Sequence, residues 1–127
     1  MKKILGVLGI LLLLGSCGKK LEVTEQEFSS ITWKNDTKAC QGKRAEQQEK
    51  FENIRERILG VRKDQVLQLL GRPDKTDLAK RNTSYFIYYV SEGKQCEGSD
   101  KNEEGDYYRF KFSPLEIVME ISYHKGV

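Results

Sequence analysis

The sequence predicts an α+β domain in which two helices pack on one face of a three-stranded antiparallel meander. Apolar residues recur at the spacing of helical turns between positions 43 and 70. Between positions 83 and 123, β-favouring residues form one continuous run and then two alternating patterns. The predicted order is helix, helix, strand, strand, strand. Because one face of such a sheet needs an apolar cover, we expect the two amphipathic helices to supply it.

The first predicted helix covers residues 43–59, a stretch without proline or internal glycine. Phe51, Ile54 and Ile58 lie at helical spacing and form one apolar stripe, while charged and amide side chains fill the other face. Surface charge order adds little here, because Glu52 and Glu56 form a like-charge pair one turn apart. Packing of the stripe must therefore hold this helix.

A second, shorter helix is predicted from residue 63 to residue 70. Val66 and Leu70 lie one turn apart, and Gly71 suits the left-handed position that follows many helices. Pro73 then prevents continuation of the helix. The start has no capping side chain, because Arg62 stands where a Ser or Asp is expected.

Three strands are predicted over residues 83–90, 106–112 and 117–123, with a polar connection over 74–82 and a long loop over 91–105. Alternation gives the last two strands two faces each. In the second strand, one face has Tyr108, Phe110 and Phe112, and the other has Tyr107, Arg109 and Lys111. In the third strand, one face has Ile117, Met119, Ile121 and Tyr123, and the other has Val118, Glu120 and Ser122.

The amino terminus has the three parts of an export signal. Lys2 and Lys3 precede an 11-residue apolar run, residues 4–14, and the small residues Gly15 and Ser16 follow. The run is shorter than the roughly 20 residues that span a bilayer. A short amino-terminal anchor helix is the alternative interpretation.

The stretch from Leu14 to Cys17, Leu-Gly-Ser-Cys, resembles the bacterial lipobox. The resemblance implies cleavage before Cys17, a diacylglyceryl thioether on its sulfur and a further acyl chain such as palmitate on its amine. Two or more acyl chains give stable membrane anchoring. We therefore predict a signal peptide over residues 1–16, a lipidated cysteine and flexible polar tether over 17–31, and a single domain over 32–127.

Charge and cysteine usage follow from this processing. Loss of Lys2 and Lys3 lowers Lys plus Arg from 22 to 20 against 19 acidic residues, so the net charge falls from +3 to +1 and gives no basis for a nucleic-acid partner. Cys40 and Cys96 remain, and paired cysteines in an oxidising compartment usually form a disulfide. The alternative, two metal ligands, leaves a tetrahedral zinc site half filled.

Aromatic residues raise the question of an interface. Trp33, the only Trp, can either pack an amino-terminal arm onto the domain or serve as an exposed interface anchor. The strand tyrosines can either cover the outer sheet face or form a recognition patch. Our candidate interface residues are Tyr107, Arg109, Lys111 and Trp33.

The stretch around the second helix resembles a known family. Gly60, Val66, Leu70, Gly71 and Pro73 match the pattern of small bacterial lipoproteins of the SmpA/OmlA group, which are related to outer-membrane assembly protein E. The resemblance implies a Tyr-rich strand followed by a hairpin after this motif. It also extends to β-lactamase inhibitor protein, which uses two copies of such a unit, whereas this chain has room for one.

Nearly all of the chain after Cys17 is similar to uncharacterised lipoproteins of Bacteroidetes-type bacteria. The shared features are a Trp-x-x-Asp segment at Trp33 and Asp36, a cysteine before a helix at Cys40, and Gln-Cys-Glu around Cys96. This likeness supports pairing of Cys40 with Cys96 and implies no activity.

Residues with catalytic chemistry are sparse. His124, the only histidine, lies beyond the last apolar alternation and is expected to be exposed and inert. The acidic residues between positions 100 and 106 lack the spacing of an EF-hand and are expected to be solvated. The sequence has no Gly-rich phosphate loop, and we predict no enzyme activity, metal, cofactor or small-molecule substrate.

The sequence therefore predicts a lipid-anchored protein of the bacterial cell envelope, on the outer membrane and facing the periplasm. We expect a non-catalytic module that binds an envelope protein and assists assembly. The alternative is a periplasmic inhibitor or immunity-type protein that resembles one β-lactamase-inhibitor unit. Both expectations rest on fold analogy.

The lipobox prediction is tested by the substitution Cys17→Ala. Without the thiol that accepts the lipid, the chain should lose labelling by radioactive palmitate and accumulate as an uncut precursor. Labelling in growing cells and the size of the product on a gel measure both effects. Normal cleavage of the Cys17→Ala chain would contradict the lipobox.

Overall fold

The computed structural model describes residues 19–127, so the predicted signal peptide and Cys17 lie outside the described residues. Over that range the chain forms an α+β fold with four α-helices and one four-stranded antiparallel sheet. None of these helices is long and apolar enough to cross a bilayer. The elements are α1 (Ser30–Asn35), α2 (Lys43–Glu46), α3 (Gln48–Ile58), α4 (Lys63–Leu70), β1 (Lys75–Leu78), β2 (Ser84–Tyr89), β3 (Tyr107–Phe112) and β4 (Val118–His124).

The predicted three-stranded meander is wrong by one strand. The strand order is β1-β2-β3-β4, and β1 lies inside the stretch predicted as a polar connection. All four residues of β1 are exposed, so no apolar alternation marks it in the sequence. Backbone hydrogen bonds hold this edge strand: Lys75 lies opposite Ile87, and Ala79 N–H donates to Thr83 O at 2.8 Å.

The predicted helix over 43–59 is two helices, α2 and α3, that meet at Gln47. The buried amide of Gln47 accepts from the N–H of Ser29 at 2.8 Å and donates to the carbonyl of Ser29 at 3.1 Å. Gln47 therefore ties the helix junction to the chain that precedes α1. The apolar stripe of Phe51, Ile54 and Ile58 is buried, as predicted.

Residues 19–31 do not form a tether, and the predicted domain start at residue 32 is wrong. Phe28 is fully buried in the core, and Leu21 and Val23 pack against it. Lys19 forms a parallel bridge with Val61. Three apolar residues spaced through a polar stretch were enough to dock this arm, although its average composition is typical of a flexible segment.

Strand β4 contains a bulge that reverses part of the predicted face assignment. Lys111 pairs with Glu120, but the next pair is Phe112 with Val118, so one extra residue lies between. Val118 is consequently buried and Met119 is 58% exposed. The predicted grouping of Met119 with Ile121 and Tyr123 on one face, and of Val118 on the other, is therefore wrong.

The resemblance motif has structural roles. Val66 and Leu70 are buried in the core, as the helical spacing predicts. Gly60 has φ 85° and donates its N–H to the carbonyl of Val118 at 2.9 Å. Gly71 has φ 76° with ψ −164°, so it occupies a region open to glycine but not the left-handed helical one that was predicted.

The core lies between the helices and one face of the sheet. The indole of Trp33 stacks on the ring of Phe51 at 5.6 Å, and Phe51 lies 4.4 Å from the ring of Tyr108. Trp33 has no exposed surface. The use of Trp33 as an interface anchor is therefore ruled out in this fold, and the alternative, a core residue that packs the amino-terminal arm, is correct.

A buried ion pair joins three parts of the chain. Arg44 Nη1 lies 2.6 Å from Asp74 Oδ2, and both side chains are nearly inaccessible to solvent. Arg44 also donates to the carbonyls of Trp33 at 3.0 Å and Tyr89 at 3.1 Å. Asp74 in turn accepts from the N–H groups of Tyr89 at 2.8 Å and Lys38 at 3.2 Å.

A second buried carboxylate, Asp36, positions Arg44. Asp36 accepts from the N–H groups of Gln41 at 2.7 Å and Arg44 at 2.9 Å. Gly42 precedes α2 and has no side chain to cap it, so Asp36 supplies the acceptor for a free N–H at this helix start.

The predicted disulfide is present. Cys40 and Cys96 form an S–S bond with a Cα–Cα distance of 5.6 Å. The bond joins the turn before α2 to the long loop between β2 and β3, and it replaces the alternative of two metal ligands.

Removal of the Arg44 charge should destabilise the fold severely. Breaking a buried ion pair from one side costs about 3–5 kcal/mol, because the remaining carboxylate stays buried without compensation. We expect a loss of this size for Arg44→Met in urea unfolding. The matched control Arg55→Met removes a half-exposed pair with Glu52 and should cost less than about 1 kcal/mol.

The double variant Arg44→Met with Asp74→Leu should not restore stability. Although both charges are gone, the N–H groups of Lys38 and Tyr89 lose their acceptor. Equal unfolding midpoints for Arg44→Met and Arg55→Met would contradict the role of the pair.

The disulfide should contribute strongly to stability. The two cysteines lie 56 positions apart, and the chain-entropy model assigns such a loop about 4 kcal/mol. We expect a reductant to lower the urea midpoint of the native chain, and not that of the Cys40→Ala/Cys96→Ala variant. Full labelling of both thiols in the unreduced protein would contradict the bond.

Candidate functional site

One face of the sheet packs on the helices, and the opposite face is not part of the apolar core. The core cluster takes Phe86, Tyr88, Tyr108, Phe110 and Phe112 from β2 and β3. Their neighbours along each strand point the other way. We call this second surface the open face, and its residues are Lys75, Asp77, Tyr85, Ile87, Tyr89, Tyr107, Arg109, Lys111, Glu120, Ser122 and His124.

The structure brings three of the predicted interface residues together on the open face. Tyr107, Arg109 and Lys111 lie on β3, an inner strand of the sheet, and each is half-buried. Trp33, the fourth, lies in the core on the other side of the sheet. Three of the four candidate residues therefore share one sheet face, and their use as an interface stays a prediction.

Arg109 occupies the middle of the open face. Its cross-strand neighbours are Ile87 and Ser122, neither of which is acidic. The guanidinium carbon lies 4.8 Å from the centroid of the Tyr85 ring, a cation–π contact. Among the ion pairs of residues 19–127, none includes Arg109. Its donors are thus oriented by an aromatic ring and not used by a carboxylate.

An aromatic group lies beside Arg109. Tyr107 stacks on the imidazole of His124 at 5.1 Å, and Tyr89 meets Tyr107 edge-on at 6.2 Å. His124 is half-buried, so the prediction of an exposed histidine is wrong. Aromatic side chains and arginine are enriched at the centres of protein interfaces. Arg109 and this aromatic group lie on the same sheet face, across β2, β3 and β4.

Ser122 and His124 form a contact that resembles part of a catalytic arrangement. The hydroxyl of Ser122 lies 2.8 Å from Nε2 of His124. A nucleophilic serine also needs an acid that orients the imidazole and donors for an oxyanion. No carboxylate hydrogen-bonds the ring of His124 in the part of the chain that the structure describes. The geometry is that of a polar surface pair.

The edge of the open face carries a tight ion pair. Lys75 Nζ lies 2.7 Å from Glu104 Oε1 and 5.6 Å from the centroid of the Tyr89 ring. The hydrogen bond from Lys75 lowers the pKa of Glu104, and the same bond raises the pKa of Lys75. Both groups therefore stay charged across neutral pH and fix the 91–105 loop against β1.

Further charges of both signs lie on the open face. Lys111 is opposite Glu120 across β3 and β4, and Asp77 is opposite Tyr85 across β1 and β2. Such a mixed pattern does not match the single-sign surface that binds nucleic acid.

Several open-face residues were not among the predicted site residues. Tyr85 lies two residues before Ile87, and Ser122 lies two residues before His124, so alternation along β2 and β4 could have placed them with Arg109. The pairing register between strands could not be predicted from the sequence. Without a register, the contact between Arg109 and Tyr85 could not be derived.

No protein-family model, curated protein or solved structure matches this chain. Within residues 19–127, no group of three His, Cys, Asp or Glu side chains is arranged to hold a metal ion. The chain is thus a small disulfide-bonded α+β protein whose sheet has one face outside the apolar core. Ile87 and Tyr89 are buried within that face, and its other residues are half-buried or exposed.

Proposed function

We propose that this protein is a lipid-anchored module of the bacterial cell envelope that binds another envelope protein through the open face. The observation that carries the proposal is Arg109: a half-buried guanidinium on an inner strand, held by Tyr85, without an ion-pair partner among residues 19–127. In this proposal the module assists assembly on the periplasmic side of the outer membrane and is not an enzyme.

The chemistry of Arg109 favours a carboxylate on the partner. Arginine presents a planar fork of donors that matches two carboxylate oxygens. Contact with Tyr85 restricts the side chain, so less conformational entropy is lost on binding. The neighbouring aromatic pair of Tyr107 and His124 supplies apolar area around the charged contact.

The proposed anchor would hold the domain close to the membrane. Lys19 is bridged to Val61, and its carbonyl accepts from Gln65 Nε2 at 2.8 Å. Only Gly18 separates Lys19 from Cys17, and two residue steps span at most about 7 Å. A lipid on Cys17 would therefore leave the domain at the lipid surface and favour a partner that also lies there.

The proposal assigns binding and not catalysis to the open face for a chemical reason. The pair of Ser122 and His124 has no carboxylate on the imidazole, so the serine hydroxyl would keep its ordinary low reactivity. The Ser122 hydroxyl and the His124 imidazole also lie on a sheet face and not in a cleft that would exclude water from a reaction. Both features suit a docking surface.

In-cell photocrosslinking tests this proposal. A photoreactive amino acid at Lys111 should capture an envelope protein, and one at the exposed Lys50 on α3 should not. The charge reversal Arg109→Glu should lower the crosslinked yield from position 111 at least tenfold, because truncating a buried interfacial charge pair costs about 2–5 kcal/mol. Lys50→Glu, with the same change of charge, should leave the yield unchanged.

The captured protein distinguishes the two functions. An outer-membrane or periplasmic assembly protein supports the proposal. A hydrolase or toxin bound tightly at one-to-one stoichiometry supports the inhibitor or immunity function instead. Equal yields from Arg109→Glu and Lys50→Glu chains of equal thermal stability would contradict a role for the open face.

A further inference from the structure

A cavity of about 460 Å³ lies away from the open face, where the end of α1, the turn at 37–39 and the exit from α4 meet. Its lining combines cations with apolar surface. The side chains that the argument uses are those of Lys34, Lys38, Arg72, Thr37, Leu70 and Pro73.

Four cations line the cavity. Arg44 is paired with Asp74, which also lines it, and Lys34, Lys38 and Arg72 have no acidic partner among the residues that the structure describes. Within residues 19–127, no charged side-chain nitrogen of Lys34, Lys38 or Arg72 lies within 4.0 Å of a carboxylate oxygen. The buried charges beneath them, Arg44 with Asp74 and Asp36, carry one net negative charge. The lining and this layer together therefore keep a surplus of two positive charges, which favours an anion at the cavity.

Lys38 is held at the cavity in a strained backbone conformation. Lys38 and Ala39 have φ values of 58° and 61°, a region that residues with a Cβ occupy only at a cost. Asp74 accepts the N–H of Lys38, Gln95 donates to its carbonyl at 3.1 Å, and Cys40 is fixed by the disulfide. Strain that is fixed by so many contacts is characteristic of a functional position.

Lys34 is positioned by a close contact with glycine. A Cβ atom placed on Gly71 would lie 3.0 Å from Cγ of Lys34, so the lysine stem rests on this glycine. Gly71 also has a positive φ, so two features favour glycine there. The contact fixes the stem of the Lys34 side chain at the cavity.

From this arrangement we propose that the cavity binds a phosphate group that is esterified to an apolar body. A phosphate monoester carries a charge of about −1.5 to −2 at neutral pH and offers three terminal oxygens. The unpaired cations Lys34, Lys38 and Arg72, together with the Thr37 hydroxyl, offer more donors than the two oxygens of a carboxylate can use. The three terminal oxygens of a phosphate fit this set of donors better. Leu70 and Pro73 supply the apolar wall for the body of the ester.

Titration of the isotope-labelled chain with phenyl phosphate tests the proposal, with amide chemical shifts as the readout. Shifts should cluster at Lys34, Thr37, Lys38 and Arg72, and the affinity should exceed that for benzoate at least tenfold. The double variant Lys38→Gln/Arg72→Gln should weaken binding at least tenfold. The control Lys50→Gln/Lys80→Gln, which removes two exposed charges outside the cavity, should stay within twofold.

Two further probes identify the source of the phosphate. Tighter binding of the soluble lipid dihexanoyl phosphatidic acid than of phenyl phosphate assigns the site to a lipid headgroup. The reverse order assigns it to a soluble ester. Absence of shifts at the cavity amides, equal affinity for benzoate, or equal weakening by the control variant would each overturn the proposal.

Discussion

The buried pair of Arg44 and Asp74 is the interaction on which the arrangement of this chain depends. Desolvation of two charges costs several kcal/mol per ion, and attraction repays it only where hydrogen bonds satisfy the remaining donors and acceptors. Here Arg44 reaches the carbonyls of Trp33 and Tyr89, and Asp74 receives the N–H groups of Lys38 and Tyr89. The pair thus joins α1 and α2, the turn at 37–39, the exit from α4 and the end of β2. The pair fixes their mutual positions, and breaking it from one side is costly because the remaining charge stays buried.

The same network connects the two surfaces that we propose to bind. Tyr89 gives its backbone to Arg44 and Asp74, while its ring lies beside Tyr107 on the open face. Lys38 gives its N–H to Asp74, while its side chain lines the cavity. Both surfaces are therefore built on backbone that the ion pair holds rigid, and rigid support lowers the entropy lost on binding.

Parts of the fold with an apolar period could be predicted from the sequence, and parts without one could not. The stripe of Phe51, Ile54 and Ile58 and the alternation of Tyr108, Phe110 and Phe112 correctly indicated helix and strand because their burial is periodic. The exposed strand β1 has no period. The arm around Phe28 is polar on average, and the bulge beside Met119 breaks an alternation that the sequence shows as continuous. Each of these depends on tertiary pairing that a local pattern does not contain.

Arg44 and Arg109 also show that a local sequence pattern does not reveal which groups an arginine will contact. Arg44 lies among charged residues in a helical stretch, which favours an exposed position, yet its burial is complete because acceptors from distant segments converge on it. Arg109 lies in an alternating strand, and the alternation correctly predicted its face. Alternation does not show whether a carboxylate from a neighbouring strand will neutralise an arginine, since that depends on register. The register here places Ile87 and Ser122 opposite Arg109. Arg44 thus finds its acceptors within its own chain, whereas the strand neighbours of Arg109 offer it no acidic partner.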